Sequence, residues 1–179
     1  FDEATAKPIP GSATHWEISA DGLQYTFHLR PEAKWSDGER LTAADFVYSF
    51  QRILSPALAS PYANMLWPLF NAEAYNTGKI KDASAIGAKA IDDLTLHLTL
   101  ERPTPFLPSL AAHNTWYPVP KRIIEKYGPG DSRNNPWARP LSMVGNGAFT
   151  LTEWRSSARI VVTKNPRYWN AAQNRLDRV

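Results

Sequence analysis

Four histidines, His15, His28, His97 and His113, are the side chains best suited to hold a metal or carry a proton. No two of them stand at a metal-ligand spacing such as H-x-x-x-H. His28 and His97 fall on the polar faces of predicted strands, where an imidazole reads as part of a sheet face. Cysteine is absent, which removes disulfides, thiol nucleophiles and zinc–thiolate sites and leaves the redox compartment open. Serines are many, but no G-x-S-x-G elbow occurs. Asp92 and Asp93 are sequence neighbours in a turn-prone stretch, and their carboxylates point apart there. "GNG" at 145–147 lacks the rest of G-x-G-x-x-G and enters a strand, and no Walker loop is present. The residues predict no catalytic set, no metal, no cofactor and no enzymatic role.

The stretch "SPYANMLWPLF", residues 60–70, is different in kind. Tyr62, Met65, Leu66 and Trp67 have the types of a core, and equally of a face shown to a ligand. An aromatic ring with a polar tip suits a partly wet site. Both readings stay open from the residues alone.

Composition narrows the class. The chain has 179 residues, 43% hydrophobic and 21% charged, which describes a globular protein of one domain or one small domain plus part of another. No run of 18 apolar residues exists to span a membrane. Net charge is +3, and the basic residues are scattered, weighted toward the C-terminal third. A nucleic-acid protein concentrates them on one element, so nucleic acid is not an expected partner. The chain begins at Phe1 without a signal peptide and stops at "NRLDRV"; both ends read as cut.

The elements that would position these residues follow from periodicity. A strand is predicted at Trp16 to Ser19, a turn at Asp21-Gly22, and a strand where Tyr25, Phe27 and Leu29 alternate with polar neighbours. Ser36-Asp37-Gly38 is a turn signal. Thr42 and Asp45 have the spacing of a capping pair for a helix at 42–54, whose Phe46, Val47, Phe50, Ile53 and Leu54 share one face. Ser55-Pro56 stops it. Short helices are predicted at 62–67, 105–111 and 120–128, with a helical turn near 71–75. Leu94, Leu96, Leu98 and Leu100 mark the clearest strand. Residues 1–14 and 129–140 read as loop, and "NGAFTLTEW" and "ARIVVTKN" as a final hairpin. The fold class is α+β, a small mixed or antiparallel sheet with packed helices.

Taken together, "DGLQYTFHLRPEAKWSDGERLTAADFVYSFQRIL", "ASPYANML", "GAKAIDDLTLHLTLERPTPFLPSLAAH", "PVPKRIIEKYG", "NGAFTLTEW" and "KNPRYWN" resemble, in order, the blocks of the oligopeptide-binding proteins of ATP-driven importers. These are extracytoplasmic solute-binding proteins of family 5. The resemblance covers essentially the whole chain. It implies a partial lobe of a class-II-type periplasmic binding protein, of the dipeptide and oligopeptide receptor type. Residues 1–120 would be the small second lobe without its first strand, and 121–179 the return to the first lobe through a linker at about 128–145. The stretch from Trp35 to Leu54 would then be scaffolding of the small lobe. "GPGDSRNNPWARP" is longer and richer in Pro and Arg than the family pattern.

The same resemblance implies a function. The family closes two lobes over an extended peptide, pairs its backbone with strand-like receptor backbone, and delivers it to an ABC permease in the membrane. Localisation would be periplasmic, or extracytoplasmic and membrane-tethered in Gram-positive cells. Tyr62 matches a family tyrosine that reaches from the small lobe toward the peptide; Asn64 and Met65 are weaker neighbours. Murein peptide, a nickel chelate, haem or an oligosaccharide on the same scaffold is the nearest alternative, and a stand-alone structural or partner-binding domain the one from another class. A missing lobe would leave apolar surface exposed, and homodimerisation would be one way to cover it.

Overall fold

The helix foreseen after Ser36-Asp37-Gly38 shows how the chain is organised. In the computed structural model, which describes residue 2 and residues 4–179, α1 spans Ala43–Leu54. The Asp45 carboxylate accepts the Thr42 backbone N–H at 2.9 Å and faces the Thr42 hydroxyl at 3.2 Å, so the helix start is held by its own first turn. Ala43, Phe46, Ser49, Phe50 and Leu54 form its buried face. Gly38 adopts φ +102°, a conformation open to glycine, in the turn that precedes it.

The chain divides into two units: Phe1–Arg30 with Thr42–Val119, and Pro31–Leu41 with Pro120–Val179. The turn at 36–38 and the helix at 43–54 therefore belong to different units, where the sequence reading places both in one scaffold. The reason is visible in the contacts of the turn. Ser36 N–H donates to the Gly145 carbonyl at 2.8 Å, Arg167 Nη1 donates to the Ser36 carbonyl at 2.8 Å, and Arg122 pairs with Asp37.

The first unit is built on an antiparallel sheet of β1 (Ala13–Ile18), β2 (Gln24–Leu29), β3 (Ala88–Asp92) and β4 (Thr95–Thr99), in the order β1-β2-β4-β3. Tyr25 pairs with Leu98 and Phe27 with Leu96, so one face carries the apolar residues. The other face carries His15, Glu17, Thr26, His28, Thr95 and His97, as strand alternation requires. β3 is absent from the sequence reading; only Ala88 of it is buried, so it lacks the alternation of a half-buried strand. The loop before it closes at Gly87, whose N–H donates to the Phe70 carbonyl and whose carbonyl accepts from Thr99 N–H, each at 2.8 Å. A Cβ there would lie 2.3 Å from the Thr99 carbonyl oxygen, so only glycine fits.

α2, Ala72–Asn76, matches the predicted helical turn within one residue, whereas α3, Leu107–Leu110, and α4, Lys121–Lys126, are shorter than their sequence patterns. Residues Ala63–Leu66 form a 3₁₀ turn. Prolines at 61 and 68, at 103, 105 and 108, and at 120 and 129 limit the 63–66 turn, α3 and α4 to a turn or two each. In the second unit, β5 (Phe149–Arg155) and β6 (Arg159–Lys164) make the final hairpin. The predicted loop at 129–140 includes a 3₁₀ turn at Pro136–Ala138, anchored by Asn135, whose Nδ2 donates to the Ile124 carbonyl at 2.9 Å. The predicted loop at 1–14 gives way to β1 at Ala13, and its residues 1 and 3 lie outside the described residues. No helix of the described residues is long and apolar enough to cross a membrane.

Candidate functional site

The sequence leaves residues 60–70 open between core and ligand face, and the structure divides them. Ala63, Leu66 and Leu69 are buried. Tyr62 is 61% exposed, Asn64 is exposed and Met65 is half-buried. The 3₁₀ turn accounts for this split: with three residues per turn Ala63 and Leu66 share the inward face and Asn64 and Met65 lie off it.

Two further contacts fix the turn. Trp116 Nε1 donates to the Met65 carbonyl at 3.2 Å, and the Trp116 ring packs edge-on against Phe50, 5.3 Å between centroids. Ser49 of α1 donates its hydroxyl to the Tyr117 carbonyl at 2.6 Å. The core helix thus holds both the 63–66 turn and the 113–117 segment, and with them the exposed Tyr62 and Tyr117.

His113 is the residue that sequence reasoning missed. Its ring lies 6.2 Å from that of Tyr62, tilted by 58°. Its Nδ1 accepts the Thr115 N–H at 3.3 Å, so in the neutral ring the proton sits on Nε2, which is then a donor. Tyr117 donates its hydroxyl to the Ala112 carbonyl at 3.1 Å, next to His113. Nothing in the linear pattern links residues 62 and 113; only the shared anchor on α1 does. The pair offers an aromatic face, a phenol and an imidazole N–H. The Thr115 hydroxyl also lies 3.0 Å from His113 Nδ1, so Thr115 holds the ring from both its backbone and its side chain. Tyr62, Asn64 and Met65 sit on one rigid turn, with Asn64 free of the Tyr62–His113 ring contact.

The mixed helix-and-sheet fold with antiparallel sheets is that of periplasmic peptide-binding protein domains. The chain matches bacterial extracellular solute-binding proteins, family 5 (Middle), over residues 7–179, and it belongs to that family. It is 43% identical to the periplasmic oligopeptide-binding protein OppA of Salmonella typhimurium, over 100% of this chain and 32% of that protein. It is 42% identical to the probable deoxycholate-binding periplasmic protein YgiS of Escherichia coli, over 95% of this chain and 31% of that protein. The crystal structure of Haemophilus influenzae OppA in complex with RPPGFSPFR superposes with a TM-score of 0.88 at 35% identity, covering 94% of this chain and 32% of that one. The chain spans about a third of the length of the curated relatives it matches.

Proposed function

We propose that this chain is part of an extracytoplasmic receptor that captures oligopeptides and passes them to an ABC permease of the inner membrane, acting in the periplasm and without catalysis. The observation that carries the reading is the 43% identity to an oligopeptide-binding protein along the whole of this chain. The outward Tyr62 on a turn locked from below supports it, since a rigid aromatic contributes contact area at little entropic loss on binding. Tyr62 would touch the peptide, with Asn64 and Met65 beside it. Residues 1–120 would belong to the small second lobe and 121–179 to the first, and the division of the chain after Val119 supports that reading. Pro31–Leu41, which groups with the C-terminal residues, would go with the first lobe.

Peptide titration by calorimetry into the full-length parent protein and its Tyr62→Ala variant tests the reading. A weakening of about 0.5–1.5 kcal/mol, a few-fold to about tenfold in Kd, is expected for a lost aromatic contact. A parent that binds no peptide would overturn it. Native mass spectrometry of the protein from its source adds the ligand class. A spread of peptide-sized adducts supports oligopeptides, and one discrete adduct moves the reading to another solute. The likeness to a probable deoxycholate-binding protein makes a bile acid the first such solute to try. Self-association through exposed apolar residues such as Leu141, Trp154 and Ile160 would register in the same spectra as a doubled mass.

A further inference from the structure

The polar face of the first unit's sheet assembles a group that the linear spacing of the histidines hides. Strand periodicity puts His15 and Glu17 on one face of β1, and the register sets His28 of β2 opposite His15. The two imidazoles stack, 4.3 Å between centroids and 11° between planes. Glu17 Oε1 lies 3.4 Å from His28 Nε2. One ligating atom from each of the three residues lies within 4.8 Å of the other two.

Two details separate this group from an ordinary surface ion pair. First, His28 Nε2 is buried and makes no hydrogen bond, although the rest of the side chain is a third exposed. A buried polar atom without a partner calls for an explanation. Second, Thr14 orders His15. Its hydroxyl donates to the His28 carbonyl at 3.2 Å, so its oxygen is left to accept from His15 Nδ1 at 2.9 Å. That pattern places the His15 proton on Nδ1 and leaves the Nε2 lone pair free. A second partner that orients an imidazole in this way is the usual support of a metal-ligating histidine.

We propose that His15, Glu17 and His28 form a binding site for a divalent transition-metal ion of the zinc class, with solvent completing the coordination. Two imidazole nitrogens and a carboxylate oxygen suit zinc, at about 2.0–2.2 Å each, and leave an open position. Closure around an ion draws the ligand atoms in to about 3.3 Å apart and turns the stacked rings out of parallel. His15 and Glu17, both exposed, have the rotamer freedom for that movement. The other titratable or charged groups of the face are His97 and Lys89, which pair in register, and Asp92 opposite Thr95. His97 is engaged with Gln24 Oε1 at 3.1 Å, and Asp92 accepts the Leu94 N–H at 2.8 Å. A metal ion and a proton compete for the same imidazole nitrogens.

The test is calorimetric titration of ZnCl₂ into the tag-free, metal-stripped chain at pH 7.5, repeated on H15N, H28Q and H97N. Circular dichroism checks that each variant is folded. The expected result is saturable one-to-one binding in the parent chain. H15N and H28Q should each weaken it by more than about tenfold, because even outer partners of metal ligands are worth 10–100-fold. H97N, at the histidine engaged with Gln24, should leave it unchanged. E17Q, which keeps the side-chain shape, should weaken binding without altering the spectrum of the fold. Histidine ring resonances recorded along the titration should shift for His15 and His28. Non-saturable uptake that is equal in parent and H28Q would overturn the proposal. So would saturation that shifts only His97 or His113.

Discussion

The two units close their interiors by different means. The first relies on apolar packing: Tyr25, Phe46, Phe50, Leu54, Leu66, Leu96, Leu98 and Trp116 are buried between sheet, helix and turns. The second has fewer buried apolar side chains, chiefly Trp35, Leu41, Ile124 and Val161, and depends on polar latches. Its fully buried Asn165 donates from Nδ2 to the Gly147 carbonyl at 2.9 Å and accepts the Arg167 N–H at 3.0 Å. Its own N–H donates to the Ala148 carbonyl at 2.8 Å. Leu141, Trp154, Ile160, Leu176 and Val179 remain exposed in this unit. A two-stranded hairpin has too little apolar area to bury for independent stability, so side-chain hydrogen bonds carry more of the specification there. The comparison teaches that a short loop, Pro31–Leu41, lying in sequence between the two stretches of the first unit can serve the second, provided turn geometry and polar partners hold it.

Mutation can break that contrast. The largest expected effect is Phe50→Ala, which empties the space between Phe46 and Trp116, 6.4 Å and 5.3 Å away between centroids. Urea unfolding followed by tryptophan fluorescence should show a loss of about 3–5 kcal/mol. A loss under about 1 kcal/mol would mean that the first unit does not depend on its apolar core.

Asn165→Ala comes next. It strands the Gly147 carbonyl and the Arg167 N–H, and about 1–3 kcal/mol should be lost in the same assay. No measurable change would remove the polar latch from the account of the second unit. Asp37→Asn should matter less. Its pair with Arg122 is partly solvated, with side-chain exposures of 28% and 48%. Less than about 1 kcal/mol is expected, and it should shrink as salt is added. The smallest effect is for Tyr62→Ala, whose side chain supports no core: stability should move by no more than about 0.5 kcal/mol. A larger drop would make Tyr62 a structural residue and weaken its proposed place against a ligand.

The same contrast explains what could be read in advance. α1 and the β2 and β4 alternation were legible because each buries one face of a regular element, and burial imposes a period on the residues. The β5–β6 hairpin was legible from alternation and its Arg155-Ser156-Ser157 turn. β3 was not, because an edge strand with four exposed residues needs only a backbone partner, and β4 supplies it. Within the candidate site, Tyr62 stood out by its block in the family resemblance. His113 carried no local signal, since its role comes from a turn pinned to α1 through Trp116 and Ser49.

By itself the sequence determined the class of elements, the helix cap at Thr42, the need for glycine in the turn at 38 and the family to which the chain belongs. These depend on short-range sterics, hydrogen-bonding groups and the period of apolar residues, all written within a few positions of one another. Only the tertiary structure decided that residues 31–41 join the C-terminal unit, that Tyr62 meets His113, and that His15, Glu17 and His28 share one patch of sheet. Each of those depends on strand register or on a long-range anchor, and the energy that selects it comes from partners 11 to 131 residues away.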